Sequence, residues 1–321
     1  MLDDPSLPAS GIQTRPTNIY LLEIFPPEAV AHCRSKFQTV VLPSDPEVSN
    51  WRQNAESILV RETTISAADI HSARNLRAIG KQGTGTDIID QDACSKGGIP
   101  ILNTPGVNAH SVAELVMALT MAVKRELRGI SVRQANGEEV RKEHCLGSMI
   151  TGKPIGVVGM GAIGSAVARM FHGAFGCHVY AYDPFAPSDA WADIPHTRVD
   201  HVEEMLAEIE MLTLHIPLTT ATRGFIAMPQ LRKMRPSAIL INVARGGIVN
   251  EDDLVQALEE GVIGGAGLDC HEEEPPTLAK YGRLWATGKV VSTPHIGATT
   301  VETQVKTATA AMDNVYNYLV G

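Results

Sequence analysis

The run Gly159-Met160-Gly161-Ala162-Ile163-Gly164 directly follows the apolar segment IGVV and opens the helix-like segment SAVARMF. Glycines at its first, third and sixth positions allow a tight strand-to-helix turn, a close approach of backbone N–H groups to a pyrophosphate, and close packing of helix on strand. A strand, this turn and a helix make the first half of a βαβ unit, so this part of the chain is committed to a parallel sheet covered by helices. The next strand-like run, HVYAYD, ends at Asp183, about twenty residues on, where a carboxylate accepts hydrogen bonds from the hydroxyls of an adenosine ribose. The same carboxylate repels a 2′-phosphate, and the following Pro184 and Phe185 supply no cation. Gly159, Gly161, Ala162, Ile163, Gly164 and Asp183 are therefore expected to bind NAD in preference to NADP.

The chain of 321 residues is long enough for two cores. Before the glycine-rich turn, the short apolar runs NIYLLEI, TVVLP, ESILV, LRAIG and IPILN alternate with segments of helical character. A long helix is expected in VAELVMALTMAVKREL, starting at Ser111 with Glu114 completing a capping box. A second series of strand-like runs ends at Asp183, His215, Ala244, Asp269 and His295, and a last helix is expected from Thr300 to Leu319. These features predict an α/β protein of two doubly wound parallel-sheet domains. A Rossmann-type NAD-binding domain spans residues 106–295, and a discontinuous substrate domain is built from residues 1–105 and 296–321.

Other functions are excluded by charge and pattern. With 27 basic and 36 acidic residues the net charge is −9, and no basic stripe follows a phosphate backbone, so nucleic acid is not an expected partner. Cys33, Cys94, Cys145, Cys177 and Cys270 are scattered, with no Cys-x-x-Cys pair or zinc-like spacing, so reduced thiols and no metal are expected. The start MLDDPSLPAS lacks the pattern of a secretory signal, and no apolar run reaches the length of a membrane span. A cytoplasmic protein without a membrane partner is the expectation.

Seven blocks in order carry a resemblance: GTGTDIID from Gly83, NTPGVNAHSVAEL from Asn103, GVVGMGAIG from Gly156, HIPLTTATRGFI from His215, NVARGGIVNEDDLVQAL from Asn242, GLDCHEEEPP from Gly267 and TPHIGATT from Thr293. Over nearly its whole length the chain resembles the D-2-hydroxyacid dehydrogenase family. The resemblance implies a flavodoxin-like and a Rossmann-like domain with the active site in the cleft between them, a homodimer, and hydride transfer between NAD(H) and C2 of a small anionic 2-hydroxy or 2-oxo acid. That acid would be of the 3-phosphoglycerate, hydroxypyruvate or glyoxylate class.

By the same resemblance Arg245 holds the substrate carboxylate, which suits the fixed fork of a guanidinium. His295 is the acid and base, and Glu274 is its carboxylate partner, raising its pKa. Glu272 and Glu273 compete for that role, and the position before the proline favours Glu274. Ile216, Pro217, Val243, Ala244, Asp269, His295, Gly297 and Ala298 complete the cofactor site, Asp269 meeting the nicotinamide carboxamide. The backbone of Gly83-Thr84-Gly85 resembles the family's second clamp on the carboxylate. Arg61 and Lys81 match basic positions of phosphoglycerate dehydrogenases, which predicts a substrate with a second anion, or else two solvated surface charges.

Three positions depart from the family pattern: Ile88 after Asp87, Ala162 and His271. A formate dehydrogenase would place an amide beside the histidine, against Glu274. A second class on the same scaffold is an NAD-sensing corepressor that binds peptides. The chain ends about twenty residues after TPHIG, so a further regulatory domain is not expected.

Overall fold

The computed structural model describes residues 16–321, so the amino-terminal run read above lies outside the described residues. Two compact units result: the described residues up to Val107 together with Val301–Gly321, and Asn108–Thr300.

The first unit holds five strands, β1 (Asn18–Leu21), β2 (Thr39–Val41), β3 (Ser57–Val60), β4 (Ala78–Lys81) and β5 (Ile101–Leu102). All pair in parallel in the order β2-β1-β3-β4-β5, the flavodoxin-like order, which reverses direction between β1 and β3. Alternate residues supply two cores: Tyr20, Ile58, Val60 and Ile79 face one side, and Ile19, Leu21, Leu59 and Ala78 the other. With both faces covered, the strands read as continuous apolar runs. The helix Val301–Val320 closes the second face with Ala308, Ala311, Met312 and Val315, whose three- and four-residue spacing forms one stripe. Burying Met312 and Val315 contributes roughly 1.5–3 kcal/mol each, which ties the end of the chain to its beginning.

The second unit contains β6 (Ile155–Val158), β7 (Val179–Tyr182), β8 (Thr197–Arg198), β9 (Met211–Leu214), β10 (Ile239–Asn242), β11 (Gly265–Leu268) and β12 (Val290–Ser292). They form one parallel sheet in the order β12-β11-β10-β9-β6-β7-β8, doubly wound with its switch point between β6 and β9. Strand β8 was not expected, because its two exposed polar residues carry no hydrophobic pattern.

The long helix runs from Ala109 to Lys124 with Asn108 at its cap, and not from a Ser111 capping box. The hydroxyl of Ser111 donates instead to the buried carbonyl of Gly297 at 2.6 Å, a tertiary demand that outcompetes a local cap. Residues 296–300 lie with this unit and not with the terminal helix, because the N–H groups of Ile296 and Gly297 donate to the Asp269 carboxylate. No helix among the described residues is long and apolar enough to cross a membrane.

Candidate active site

In a doubly wound sheet, ligands bind beyond the carboxyl ends of the strands. Each strongly marked residue of the second unit stands there: Gly159 follows β6, Asp183 β7, Ile216 and Pro217 β9, Arg245 β10, Asp269 β11 and His295 β12.

Gly159 adopts φ 99°, and a Cβ on it would stand 2.5 Å from the carbonyl oxygen of His215. Only glycine satisfies both conditions. The helix Ala162–Phe175 then starts from Gly161 without a side-chain cap, which leaves its first-turn N–H groups to an anion. Asp183 Oδ2 accepts the N–H of Met160 in this turn at 2.9 Å, and Oδ1 those of Phe185 and Ala186 at 2.9 and 3.2 Å. The carboxylate is thus oriented against the glycine-rich turn. Arg198 on β8 donates to the carbonyls of Asp183, Ala186 and Pro187 at 2.8, 2.7 and 2.8 Å. This cation escaped the sequence reading, since only the β7–β8 pairing brings it to the loop.

At the end of β10, the side chain of buried Asn242 accepts the N–H of Ala244 (3.1 Å) and donates to the carbonyl of Arg245 (2.9 Å). Asn242 therefore shapes the turn that presents Arg245, whose Nη1 donates to the carbonyl of Ala244 at 2.7 Å. The turn presses on the loop after β11: a Cβ on Gly246 would stand 2.0 Å from the carbonyl oxygen of His271.

Asp269 is fully buried. Its Oδ1 accepts from Thr293 Oγ1 and Ile296 N, its Oδ2 from Gly297 N, and its carbonyl from His295 N at 2.8 Å. These four bonds hold the turn in which His295 takes the left-handed φ of 57°. His295 Nδ1 lies 2.9 Å from Glu274 Oε2, while Glu274 Oε1 accepts the N–H of His271 at 3.1 Å. The two other carboxylates of the run are placed by their backbones: Glu272 N donates to Glu251 Oε1 (2.8 Å) and Glu273 N to the Tyr281 hydroxyl (2.9 Å). Glu274 is the carboxylate of the three that meets the histidine.

Hydrogen bonds that the ring donates to Cys270 and Glu274, working against burial, push His295 well above the usual imidazole range. Burial, which alone would raise the Glu274 carboxyl, is outweighed by the His295 hydrogen bond and charge, and the group is held low. Burial pushes the Cys270 thiol up, so at neutral pH the charge facing the imidazole is the Glu274 carboxylate. His271 departs from the family pattern without joining this pair: it is buried, its Nε2 lies 2.9 Å from Ser292 Oγ, and burial lowers its pKa. His215 is lowered to about 3 by burial. Cys270 is the residue that the sequence reading passed over, since a single cysteine in a strand-to-loop junction carries no local signal.

The family model described as "D-isomer specific 2-hydroxyacid dehydrogenase, NAD binding domain" matches residues 117–297. The chain is 38% identical over 263 residues to a hydroxypyruvate reductase of Thermotoga maritima, covering 82% of this chain and 84% of that one. The chain belongs to the D-isomer specific 2-hydroxyacid dehydrogenase family. It is also 37% identical over 270 residues to a D-3-phosphoglycerate dehydrogenase of Methanocaldococcus jannaschii, covering 84% of this chain and spanning only 51% of that relative's length. Among solved structures, an NADPH-dependent glyoxylate/hydroxypyruvate reductase from Sinorhizobium meliloti superposes with a TM-score of 0.82 at 25% identity, covering 94% of this chain and 95% of that one.

This dehydrogenase family's NAD-binding domain is thus present, and its residues fit the cofactor. A Cβ at Gly161 would meet no atom within 4 Å, the neighbouring helix end carries no side-chain cap, and the Asp183 carboxylate stands at the next strand. Val243 and Ala244 are buried after β10, and Gly297 is buried after β12. Ala298 follows Gly297, and Pro217 follows β9 with its carbonyl accepting from Thr222 Oγ1 at 2.6 Å.

The remaining candidates belong to the first unit and stand at the carboxyl ends of β3 and β4. Gly83 has φ 99° and donates its N–H to Thr104 Oγ1 at 2.9 Å, while Asn103 Nδ2 donates to the carbonyl of Thr84 at 2.6 Å. Thr104 and Asn103 thus fix the loop 83–85. Lys81 is buried, with Nζ donating to the carbonyl of Gln82 at 2.7 Å. Arg61 Nε lies 3.5 Å from Glu23 Oε2 and 3.3 Å from Glu62 Oε1. Glu23 Oε1 also accepts the N–H groups of Arg61, Glu62 and Thr63 at 2.9, 2.7 and 2.6 Å. Those bonds outweigh burial and hold its carboxyl low.

Proposed function

We propose that this chain is an NAD-dependent D-2-hydroxyacid dehydrogenase, in which Arg245, Glu274 and His295 act on a small 2-hydroxy or 2-oxo acid. The observation that carries the reading is the pairing of Glu274 with His295 at 2.9 Å, in the same unit as the glycine-rich turn and Asp183. The glycine-rich turn and Asp183 would hold NAD, which would supply or accept the hydride at C2 of the acid. His295, kept protonated by its carboxylate, gives its Nε2 proton to the carbonyl oxygen in reduction and takes it back in oxidation. Glu274 holds the ring by Nδ1 and balances its charge. Arg245 takes the substrate carboxylate with its guanidinium fork. In the first unit the N–H groups of the 83–85 loop are a further clamp for a carboxylate, and in the second Ile216, Pro217, Val243, Ala244, Asp269, Gly297 and Ala298 complete the cofactor's surroundings.

Within that class we favour an acid with an uncharged tail, of the hydroxypyruvate or glyoxylate kind, over a phosphorylated one. Two carboxylates flank Arg61 and offset its charge, and the Lys81 ammonium is buried and directed at a carbonyl. The relatives are named for dehydrogenase and reductase activities, which does not favour a peptide-binding corepressor. A homodimer is part of the proposal. It is supported by the helix Leu127–Ala135, which buries no residue in its own chain, and by Leu146 and Met149, which stand 85% and 68% exposed nearby in sequence. A cytoplasmic setting is supported by the five cysteines, all free thiols.

The test is a panel of 2-oxo acids, including glyoxylate, hydroxypyruvate and its phosphorylated form, with NADH consumption followed by absorbance. No turnover of any 2-oxo acid rejects the enzyme reading, and a preference for the phosphorylated acid rejects the narrower one.

A further inference from the structure

We propose that Cys270, Glu274 and His295 bind a thiophilic divalent cation such as Zn²⁺ or Co²⁺, and that its capture switches the enzyme off by occupying the acid–base histidine. The inference rests on the proposed roles of Glu274 and His295 and adds a regulatory ligand to that site. Cys270 Sγ, a Glu274 carboxylate oxygen and a His295 ring nitrogen all lie within 4.8 Å of one another. Tetrahedral Zn²⁺, at about 2.3 Å from sulfur and about 2.0–2.2 Å from nitrogen and oxygen, needs such atoms roughly 3.5 Å apart. The three donors stand within 4.8 Å of one another, and binding requires them to close to that spacing.

The backbones beneath these donors are fixed. Cys270 directly follows buried Asp269, whose carbonyl accepts the N–H of His295, so one residue sets the separation of the two strand ends. Glu274 is oriented through its second oxygen by the N–H of His271, the kind of outer contact that steadies a metal ligand. The side chains of Glu274 and His295 are 35% and 41% exposed, whereas Cys270 is buried behind them. A cation entering from solvent meets oxygen and nitrogen first and sulfur last, and keeps one position open to water.

The donor set selects the metal. Sulfur and imidazole favour Zn²⁺ or Co²⁺, whereas Mg²⁺ and Ca²⁺ require oxygen ligands. As the metal–sulfur bond forms, the Cys270 thiol releases its proton to solvent, and His295 releases the proton it carries as imidazolium before binding as the neutral ring. No electron changes hands. With the metal in place of the proton on Nδ1, the neutral ring keeps only its weakly acidic Nε2–H and can no longer cycle between imidazolium and imidazole, so His295 stops serving as acid and base.

Tag-free enzyme titrated with Co²⁺ should develop a sulfur-to-cobalt charge-transfer absorption, removed by Zn²⁺. Zn²⁺ should lower NADH-dependent reduction by at least tenfold, with recovery on adding EDTA, and Mg²⁺ at the same concentration should do nothing. Cys270→Ser and Cys270→Ala, each checked for folding by thermal melting, should lose the absorption and bind Zn²⁺ markedly more weakly, as expected on losing the thiolate ligand. An active enzyme without the absorption, or a Cys270 variant inhibited at the wild-type Zn²⁺ concentration, overturns the proposal while leaving the dehydrogenase reading intact. Cysteine-dependent absorption in a protein that reduces no 2-oxo acid upholds the metal site and removes the catalytic reading.

Discussion

Glu274 Oε2 stands 2.9 Å from His295 Nδ1, and the ring is carried on a residue in the left-handed backbone region. The pair sets the pH behaviour of the proposed reaction. His295 is the proton donor in reduction, so kcat/KM for a 2-oxo acid falls as pH rises through the raised pKa of this group. Glu274→Gln removes the negative charge and lowers that pKa, so the alkaline limb of the reduction profile moves to lower pH. On that limb each unit of displacement costs about tenfold in rate, or about 1.4 kcal/mol. An unmoved alkaline limb in a folded Glu274→Gln enzyme would detach the carboxylate from the histidine.

Replacing the acid itself has a larger effect. His295→Ala should lower kcat by roughly two to four orders of magnitude, with NADH binding little changed in a fluorescence titration. Retention of near-normal kcat assigns the proton transfer elsewhere.

Asp183 gives a test of cofactor choice. The enzyme should prefer NADH to NADPH by more than about tenfold in kcat/KM, and Asp183→Ala should narrow the gap. The same change strips acceptors from Met160, Phe185 and Ala186, so the melting temperature should fall as well. Steady-state kinetics with both cofactors decide the matter, and equal rates in the wild type would remove Asp183 from the selectivity.

Tyr281 holds the loop from behind. Its hydroxyl accepts the N–H of Glu273, next to Glu274, and leaving that donor without a partner costs about 1–3 kcal/mol. Tyr281→Phe should therefore lower the melting temperature and reduce kcat several-fold with KM for NADH unchanged. Its alkaline limb should move in the same direction as in Glu274→Gln, a readout that a loss of stability alone does not produce.

Arg61 tests the substrate. If its charge is spent on Glu23 and Glu62, Arg61→Ala should change KM for hydroxypyruvate and for its phosphorylated form by similar factors. A selective rise for the phosphorylated acid, diminishing with added salt, would restore Arg61 as a receptor for a second anion.

The amino-acid sequence by itself determined the parallel α/β class, most of the strands and the dinucleotide turn, because these rest on local pattern. Apolar runs buried on both sides of a sheet, glycines at fixed spacing and an acidic residue at a strand end are visible within a few tens of residues. It also pointed, by resemblance, to Arg245, Glu274 and His295. The tertiary structure decided what no local pattern encodes. Strand β8 has no apolar signal, yet parallel pairing with β7 delivers Arg198 to the Asp183 loop. The capping box expected at Ser111 lost its serine to a carbonyl 186 residues away. The resemblance singled out Glu274 among three consecutive glutamates, but what holds the run in place is tertiary: Glu251 and Tyr281 accept the N–H groups of Glu272 and Glu273. Cys270 stands beside His295 because one buried carboxylate, Asp269, joins the ends of two strands. Each of these depends on hydrogen bonds between groups far apart in the chain, whose geometry exists only once the sheet has formed.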